Sequence, residues 1–564
     1  MLDYDYIVVG GGSSGCALTN RLTANPSNRV LLIEAGADYV PGQEPANIRD
    51  TFYTAAYVKN NLWSDTRIQW LDPKPGMPAP TESFYEQARV IGGGSSVNAM
   101  VGLRGTQADF EEWTALGATG WSWGEVQPFY QRLEHDFDFT DNNHGREGPI
   151  SVRRHARSQW PPFVDAMARE IESRGYGYVD DVNAGDRQGL GRIPMTSLPT
   201  QRMSAAMGYL NSDVRRRSNL RIMSDTQVNA LAIEDGKVTG VIVGDGGHKQ
   251  SFRARETILC AGSYRTPALM MRSGLGPGGS LSLLGIKVHA DLPGVGLNLH
   301  DHPTFAAAAH IRAWAAQSAS LRPHANAGLF YSSGHDGCPP MDMYLPFANK
   351  VGWHPVGERI AGVFVVLMKP FSRGRVTLRS PDPYEFPLVE ANAFGDERDL
   401  HRLMQGMRLA HELLSAPAVK ALTTYQFGGS FSERVSALNT YSRTNWFKSA
   451  IGELLLDGPE ALRNFLMEKM VCPGSRLDHL VADDHRLETW MRENVTGFFH
   501  PVGTCRMGSA QDDLAVVDSS GRVHGVGGLR VADASVMPSI VRATTNLTAI
   551  MIGEKMAQAI LDER

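Results

Sequence analysis

Residues 7–15 read IVVGGGSSG, and their reading decides the fold. The apolar run begins at Asp5 as DYIVV and has the length and branched side chains of a buried parallel strand. It breaks into glycines at Gly10, Gly12 and Gly15, after which Ser14 to Leu22 reads as the start of a helix ending near Asn25 and Pro26. In this spacing Gly10 permits a tight turn, Gly12 lets backbone approach a pyrophosphate, and Gly15 lets the helix pack closely on the strand. The helix N-terminus turns free N–H groups and its positive dipole end toward the anion. A second strand, Arg29 to Ile33, ends in Glu34, 24 residues after Gly10, where a carboxylate reaches ribose hydroxyls. Strand, turn, helix, strand and acid together make a dinucleotide fingerprint, equally suited to NAD and to FAD.

The rest of the composition points to small-molecule chemistry. Of 564 residues 42% are hydrophobic and 20% charged, with a formal charge of -5, which excludes disorder and offers no basic block for nucleic acid. At roughly 100 to 200 residues per domain, the length predicts two large units or several interleaved ones. The five cysteines, Cys16, Cys260, Cys338, Cys472 and Cys505, are scattered, show no zinc-binding spacing and predict a reduced, cytoplasmic setting. Asp3 and Asp5 stand where a signal peptide needs positive charge, and no stretch approaches 18 uncharged apolar residues, so neither a leader nor a membrane span is expected.

A second glycine cluster, ARVIGGGSSVNAMVGLRG at 88–105, supplies pliant backbone and small polar donors. With it the chain resembles the glucose-methanol-choline (GMC) oxidoreductase family, whose first signature is similar to this segment except at Gly102. GSYRTPALMMRSGLG at 262–276 is similar to the second signature. LPGVGLNLHDHP at 292–303, HPVGTCRMG at 500–508 and LRVADASVMPSIVRATTN at 529–546 resemble further family blocks in family order. The resemblance implies an α/β fold, with a Rossmann-like FAD-binding domain built from discontinuous segments and an α+β substrate domain with an antiparallel sheet. The expected division is 1–147, 202–303 and 487–564 for the cofactor half, and 148–201 and 304–486 for the substrate half.

Carried over by position, the resemblance implies FAD held by Gly10, Gly12, Ser13, Ser14, Gly15, Glu34 and Ala35 at the pyrophosphate and adenosine end, with Val228 at the adenine. Arg89, Gly92, Gly93, Asn98, Ala99, Met100 and Val101 would run beside the ribityl chain and isoalloxazine. Ala261, Gly262, Asp533 and Ala534 would complete the site. Some members link FAD covalently through a histidine where Asn98 stands here, so the cofactor is expected to be non-covalent. No metal site is expected.

Among 17 histidines, His500 falls in the block where the family places a histidine facing the flavin, and Asn546, 46 residues later, occupies the partner position. His302 and His524 match structural positions. The resemblance implies oxidation of a primary alcohol, with His500 as base, Asn546 as donor to the same oxygen and FAD taking the hydride. Oxygen or a quinone-type acceptor would then reoxidise the cofactor. Hydroxynitrile lyases and flavin photodecarboxylases share the fold and stay open as alternatives.

In the substrate half, MDMYLPF at 341–347, AGVFVVLM at 361–368 and RGRVTL at 373–378 read as strands of one antiparallel sheet over the flavin. Tyr344, Phe347, Phe364 and Phe499 either line a substrate pocket or fill the sheet core. Asp399 to Leu414 reads as an amphipathic helix covering the sheet. The apolar run at 446–470 reads as two helices broken at Gly458 and Pro459, open to service as a lid, a dimer contact or packing, and without the basic face of a membrane anchor.

Overall fold

The computed structural model describes residues 3–72, 82–185, 188–244, 248–318, 321–429 and 437–563. Two large sheets organise it. The first has seven strands, ordered 228–234, 237–243, 250–259, 4–9, 30–33 and 220–223, with 529–531 paired to 250–259. Tyr4–Val9 lies parallel between Val30–Ile33 and the end of Gln250–Leu259, so its inner residues are enclosed on both sides and all apolar. Only the second half of Gln250–Leu259 pairs with Tyr4–Val9; its first half joins an antiparallel meander.

The helix Ser13–Thr23 follows the glycine turn, and the C-terminal helix Thr545–Asp562 packs along it. Their contact is close because Gly553 lies on the Ser14 backbone, where a Cβ would collide. Ser14 Oγ donates to the Ala549 carbonyl at 2.7 Å, and Arg21 pairs with the fully buried Glu554 at 2.7 Å. The tail of the chain therefore sits beside the N-terminal fingerprint.

The second sheet has eight strands, ordered 423–429, 303–311, 360–367, 343–348, 325–331, 189–192 and 178–179, with 496–497 paired to 303–311. It is antiparallel except at its 178–179 edge. Glu397–Ser415 covers it, burying Leu400, Leu403, Met407, Leu413 and Leu414. The strand expected within 373–378 is Arg375–Thr377, but it belongs to a separate four-stranded sheet with 388–390, 67–69 and 82–84. Pro370 offers no N–H to extend the preceding ladder, and Gly374 allows an approach to the Glu390 carbonyl that a Cβ would block.

The apolar run forms helices Arg443–Leu456 and Glu460–Leu466, separated at Gly458 and Pro459. Trp446, Phe447, Ile451, Leu454 and Phe465 are exposed on them, and Met470 is exposed in the helical turn Met467–Val471 that follows. No described helix is long and apolar enough to cross a membrane.

Candidate active site

One cavity of about 380 Å³ runs from the glycine turn to the substrate-side sheet. At its first end Gly10 (φ 104°) makes the turn, and its N–H donates to the Ile33 carbonyl at 2.8 Å. Both Glu34 oxygens accept backbone N–H groups at 2.8 Å, from Gly11 and Gly36. Burial nevertheless holds this carboxyl above its ordinary range. Ser13, Ser14, Ala35 and Val228 line the same end.

Gly15 and Gly92 do not line the cavity. A Cβ on Gly15 would strike the Gly10 carbonyl, so this glycine shapes the cradle by packing, while Gly92 (φ 91°) turns the loop and donates to Gly11 at 2.7 Å. Arg89, expected beside the isoalloxazine, is instead exposed. Its Nε donates to the Ala35 carbonyl at 3.1 Å and its guanidinium lies over Trp63, outside the cavity.

Gly93, Asn98, Ala99, Met100 and Val101 form the middle wall, facing Ala261, Gly262, Asp533 and Ala534. Asp533 Oδ2 accepts from Gly262 N–H at 2.8 Å and from Thr266 Oγ1 at 2.7 Å, which ties the two signature blocks together. Asn98 Oδ1 accepts from Met100 N–H and from Arg202 Nη1 at 2.9 Å. Arg202 is fully buried, bonds otherwise to backbone carbonyls, and burial lowers it to about 10. No sequence motif pointed to this residue.

The cradle fits a dinucleotide. Gly12, Gly94 and Gly262 line the cavity, yet a Cβ on Gly12 would meet no protein atom nearer than 3.8 Å, and one on Gly94 or Gly262 nothing within 4 Å. The open backbone there faces ligand space rather than protein. It stands at the N-terminus of Ser13–Thr23, where the Gly12 cap receives no side-chain hydrogen bond.

At the far end His500, Asn546, Phe499, Phe364 and Tyr344 line the cavity. Phe347 does not: the strand Met343–Ala348 turns Tyr344, Pro346 and Ala348 toward it, and alternation puts Phe347 on the opposite face, in the sheet core. Phe499 carries φ 63°, a left-handed conformation disfavoured for a bulky residue. Its ring stacks on Tyr85 at 4.5 Å, and its N–H donates to the Tyr85 hydroxyl. Asp301 fastens the neighbouring backbone. Its Oδ1 accepts from His302 N–H at 2.8 Å and from His500 N–H at 2.9 Å, while Tyr85 donates to Oδ2. Burial raises this carboxyl to about 6.

His302 does not line the cavity but touches His500. Its Nδ1 lies 2.8 Å from His500 Nδ1 and its Nε2 lies 3.1 Å from the Val541 carbonyl. The carbonyl only accepts, so His302 donates from Nε2 and, held near 3 by burial and so neutral, must accept at Nδ1. His500 then donates from Nδ1 and carries its lone pair on Nε2, which has no hydrogen-bond partner among the described residues. Burial, reinforced by His302, lowers His500 well below the ordinary imidazole range. His524 stays structural, its Nε2 3.2 Å from the Gly508 carbonyl.

Asn546 stands in the first turn of the C-terminal helix, and its Oδ1 accepts from Ser13 Oγ at 2.7 Å. That bond orients the amide and leaves Nδ2 as a donor for the cavity. Ser13 thus links the glycine turn to the His500 and Asn546 end of the cavity, a role the fingerprint does not announce.

Residues 4–304 match the N-terminal GMC oxidoreductase pattern and residues 370–553 the C-terminal one. The chain is 38% identical to a 5-(hydroxymethyl)furfural oxidase of Methylovorus sp. (strain MP688), over 99% of each chain. It is 31% identical to an oxygen-dependent choline dehydrogenase of Rhizobium etli (strain CIAT 652), over 99% of this chain and 96% of that one. Its fold matches the crystal structure of pyridoxine 4-oxidase from Mesorbium loti with a TM-score of 0.80, 25% identity and full coverage of both chains. The chain belongs to the GMC oxidoreductase family, flavoproteins that act on CH–OH donors and typically carry FAD.

Proposed function

We propose that this chain oxidises a primary alcohol, of an aromatic or heteroaromatic kind, to the aldehyde, with His500 as general base and Asn546 as donor to the same oxygen. The observation that carries the reading is the His302–His500 hydrogen bond, which leaves the His500 lone pair on Nε2 in a cavity shared with the dinucleotide cradle. The depressed basicity of His500 keeps it neutral near pH 7 and able to accept a proton.

The same depression makes it a weak base. An alcohol as acidic as water, near ~15.7, facing an imidazole of ~6.5 already leaves full transfer uphill by about 12 kcal/mol, and a lower imidazole value widens the gap. A free alkoxide is therefore too costly, and proton removal must overlap hydride departure. The Asn546 amide, turned by Ser13, offsets the developing charge; one such donor is worth about 2.7 to 4 kcal/mol. FAD, held by Gly10, Gly12, Ser13, Glu34, Gly262 and Asp533, would supply the two-electron acceptor for the hydride, to be reoxidised by oxygen or a quinone-type compound. The relatives named as a 5-(hydroxymethyl)furfural oxidase, a choline dehydrogenase and a pyridoxine 4-oxidase support alcohol chemistry at this site.

The division into cofactor segments 1–147, 202–303 and 487–564 and substrate segments 148–201 and 304–486 belongs to this proposal. It is supported by the membership of the two large sheets, although strand 496–497 pairs into the substrate-side sheet. Five unpaired cysteines support a reducing, cytoplasmic setting.

Anaerobic addition of 5-(hydroxymethyl)furfural or benzyl alcohol to the FAD-loaded protein is expected to bleach the visible flavin band. An unchanged band accompanied by cyanohydrin cleavage would replace this reading with a lyase, and light-dependent loss of carbon dioxide from a fatty acid with a photodecarboxylase. The flavin is further expected to be non-covalent. The Asn98 side chain is an amide already bonded to Met100 and Arg202, with no ring nitrogen to form a link. Acid precipitation should release all of the yellow chromophore into the supernatant; colour left in the pellet refutes it.

A further inference from the structure

The helix Arg443–Leu456 is amphipathic in the inverse sense. Its buried residues, Ser449, Glu453 and Leu456, share one face, and two of the three are polar. Ser449 Oγ accepts from Val356 N–H at 2.8 Å and lies 2.7 Å from His354 Nδ1. Glu453 Oε1 lies 2.9 Å from Arg359 Nη1 and 3.2 Å from His310 Nε2. On the opposite face Phe447, Ile451 and Leu454 repeat the same helical spacing, and they are 65%, 62% and 75% exposed. The Phe447 ring meets that of Trp446 edge-on at 5.4 Å. A surface helix ordinarily turns its apolar stripe inward and its polar side to water, so this outward face asks for cover.

The helix is not built to swing. Besides the bonds of Ser449 and Glu453, Arg359 pairs with Asp457 at 2.7 Å, and Leu456 and Met467 belong to a small core with Ile360, Tyr425 and Phe427. Segments that open and close are drawn from sparsely tied parts of a fold, and this one is tied on its whole inner side. The cover must therefore come from outside the chain.

Area and charge identify it. Nine apolar side chains from Trp446 to Val471 are exposed. At roughly 150 to 250 Å² for an aromatic side chain and somewhat less for an aliphatic one, their exposed portions come to about 900 Å². The largest apolar patch of a typical monomer is about 300 to 600 Å², whereas a stable pairing of proteins covers about 800 Å² on each partner. Residues 443–471 carry four basic and four acidic side chains, so the segment is neutral and lacks the basic rim that draws a helix to an anionic membrane. The exposed charges are sorted along it: Arg443 and Lys448 precede the most exposed residue, Leu454, and Glu460 follows it. A face with one basic and one acidic end complements itself when turned by 180°, the condition for a two-fold pair.

We propose that the outward face of residues 443–471 is the contact between two copies of this chain. In it Arg443–Leu456 crosses its counterpart antiparallel near Leu454, so that Lys448 of each copy approaches Glu460 of the other. The contact does not depend on the alcohol-oxidation reading above.

Sedimentation velocity of the FAD-loaded protein at about 10 µM should show a dimer, with a dissociation constant below about 1 µM. Leu454→Glu and Phe447→Glu, each counted twice across a two-fold contact, should raise that constant at least about 100-fold, with FAD content and Tm as in wild type. Lys448→Glu and Glu460→Lys should each raise it about 3- to 10-fold, and the double variant, its charges exchanged, should return to within about threefold of wild type. A wild-type protein that is monomeric at this concentration overturns the proposal, and so does a dimer indifferent to both glutamates. A double charge variant no tighter than the weaker single one overturns the antiparallel crossing. A monomer that cosediments with vesicles of phosphatidylglycerol and phosphatidylcholine assigns the face to a membrane surface instead.

Discussion

His500→Ala is expected to retain FAD while its anaerobic reduction by a good alcohol substrate slows by about 10² to 10⁴-fold, the usual worth of a general base. Retention follows from place: the imidazole sits with His302 and the Asp301 staple, whereas the cradle is built from the glycine turn, Glu34 and Asp533. Asn546→Ala should cost about 10² to 10³-fold as the loss of one oxyanion donor, and the double variant less than the product because both groups act on one oxygen. Acidity gives a second reading of the same residue. A group whose basicity is lowered by burial stays neutral down to a pH below its ordinary 6.5, so wild-type reduction should be flat from about pH 6.5 to 8 and fall only at lower pH. The alanine variant should recover partly as pH rises and solvent base assists. Wild-type reduction by His500→Ala with normal FAD content would remove His500 from the mechanism.

The parts of this site that the sequence displays are those that need only local geometry. A strand, a turn with φ 104° at Gly10 and a helix are neighbours along the chain, so spacing alone reports them. The bonds that tune the chemistry are not neighbours. His302 meets His500 across 198 residues, and Ser13 meets Asn546 across 533. The stretch LHDHP shows a histidine beside an aspartate but not that the ring faces another imidazole. Tyr344 and Phe347 illustrate a different limit. The strand Met343–Ala348 is buried on both faces, so its alternation carries no contrast between cavity and core, and only the neighbouring strands and the cavity tell them apart. Arg202 belongs to no motif at all, since its partners are backbone carbonyls that any sequence supplies, apart from Asn98 Oδ1.

The three fingerprint glycines should respond differently to the same added methyl group. A Cβ on Gly10 would run into the Cys260 carbonyl in a left-handed conformation, and one on Gly15 into the Gly10 carbonyl, so alanine at either position damages the folded protein itself. Gly12 has φ -75°, open to any residue, and its Cβ would find no protein atom within 3.8 Å. The protein therefore has no need of glycine there, and the need comes from whatever approaches the turn. Gly12→Ala is expected to give an apoprotein with wild-type circular dichroism and Tm, but a Kd for FAD raised by about 10- to 100-fold, the overpacking cost of about 1.4 to 3 kcal/mol expressed against the ligand alone. Gly12→Val, with two more carbons in the same space, should bind still more weakly and purify without colour. Gly15→Ala should lose Tm as well as FAD, since its clash is within the chain. FAD binding by Gly12→Ala at wild-type affinity would mean that the pyrophosphate does not pass over this turn, and the cradle would have to be placed elsewhere along the cavity.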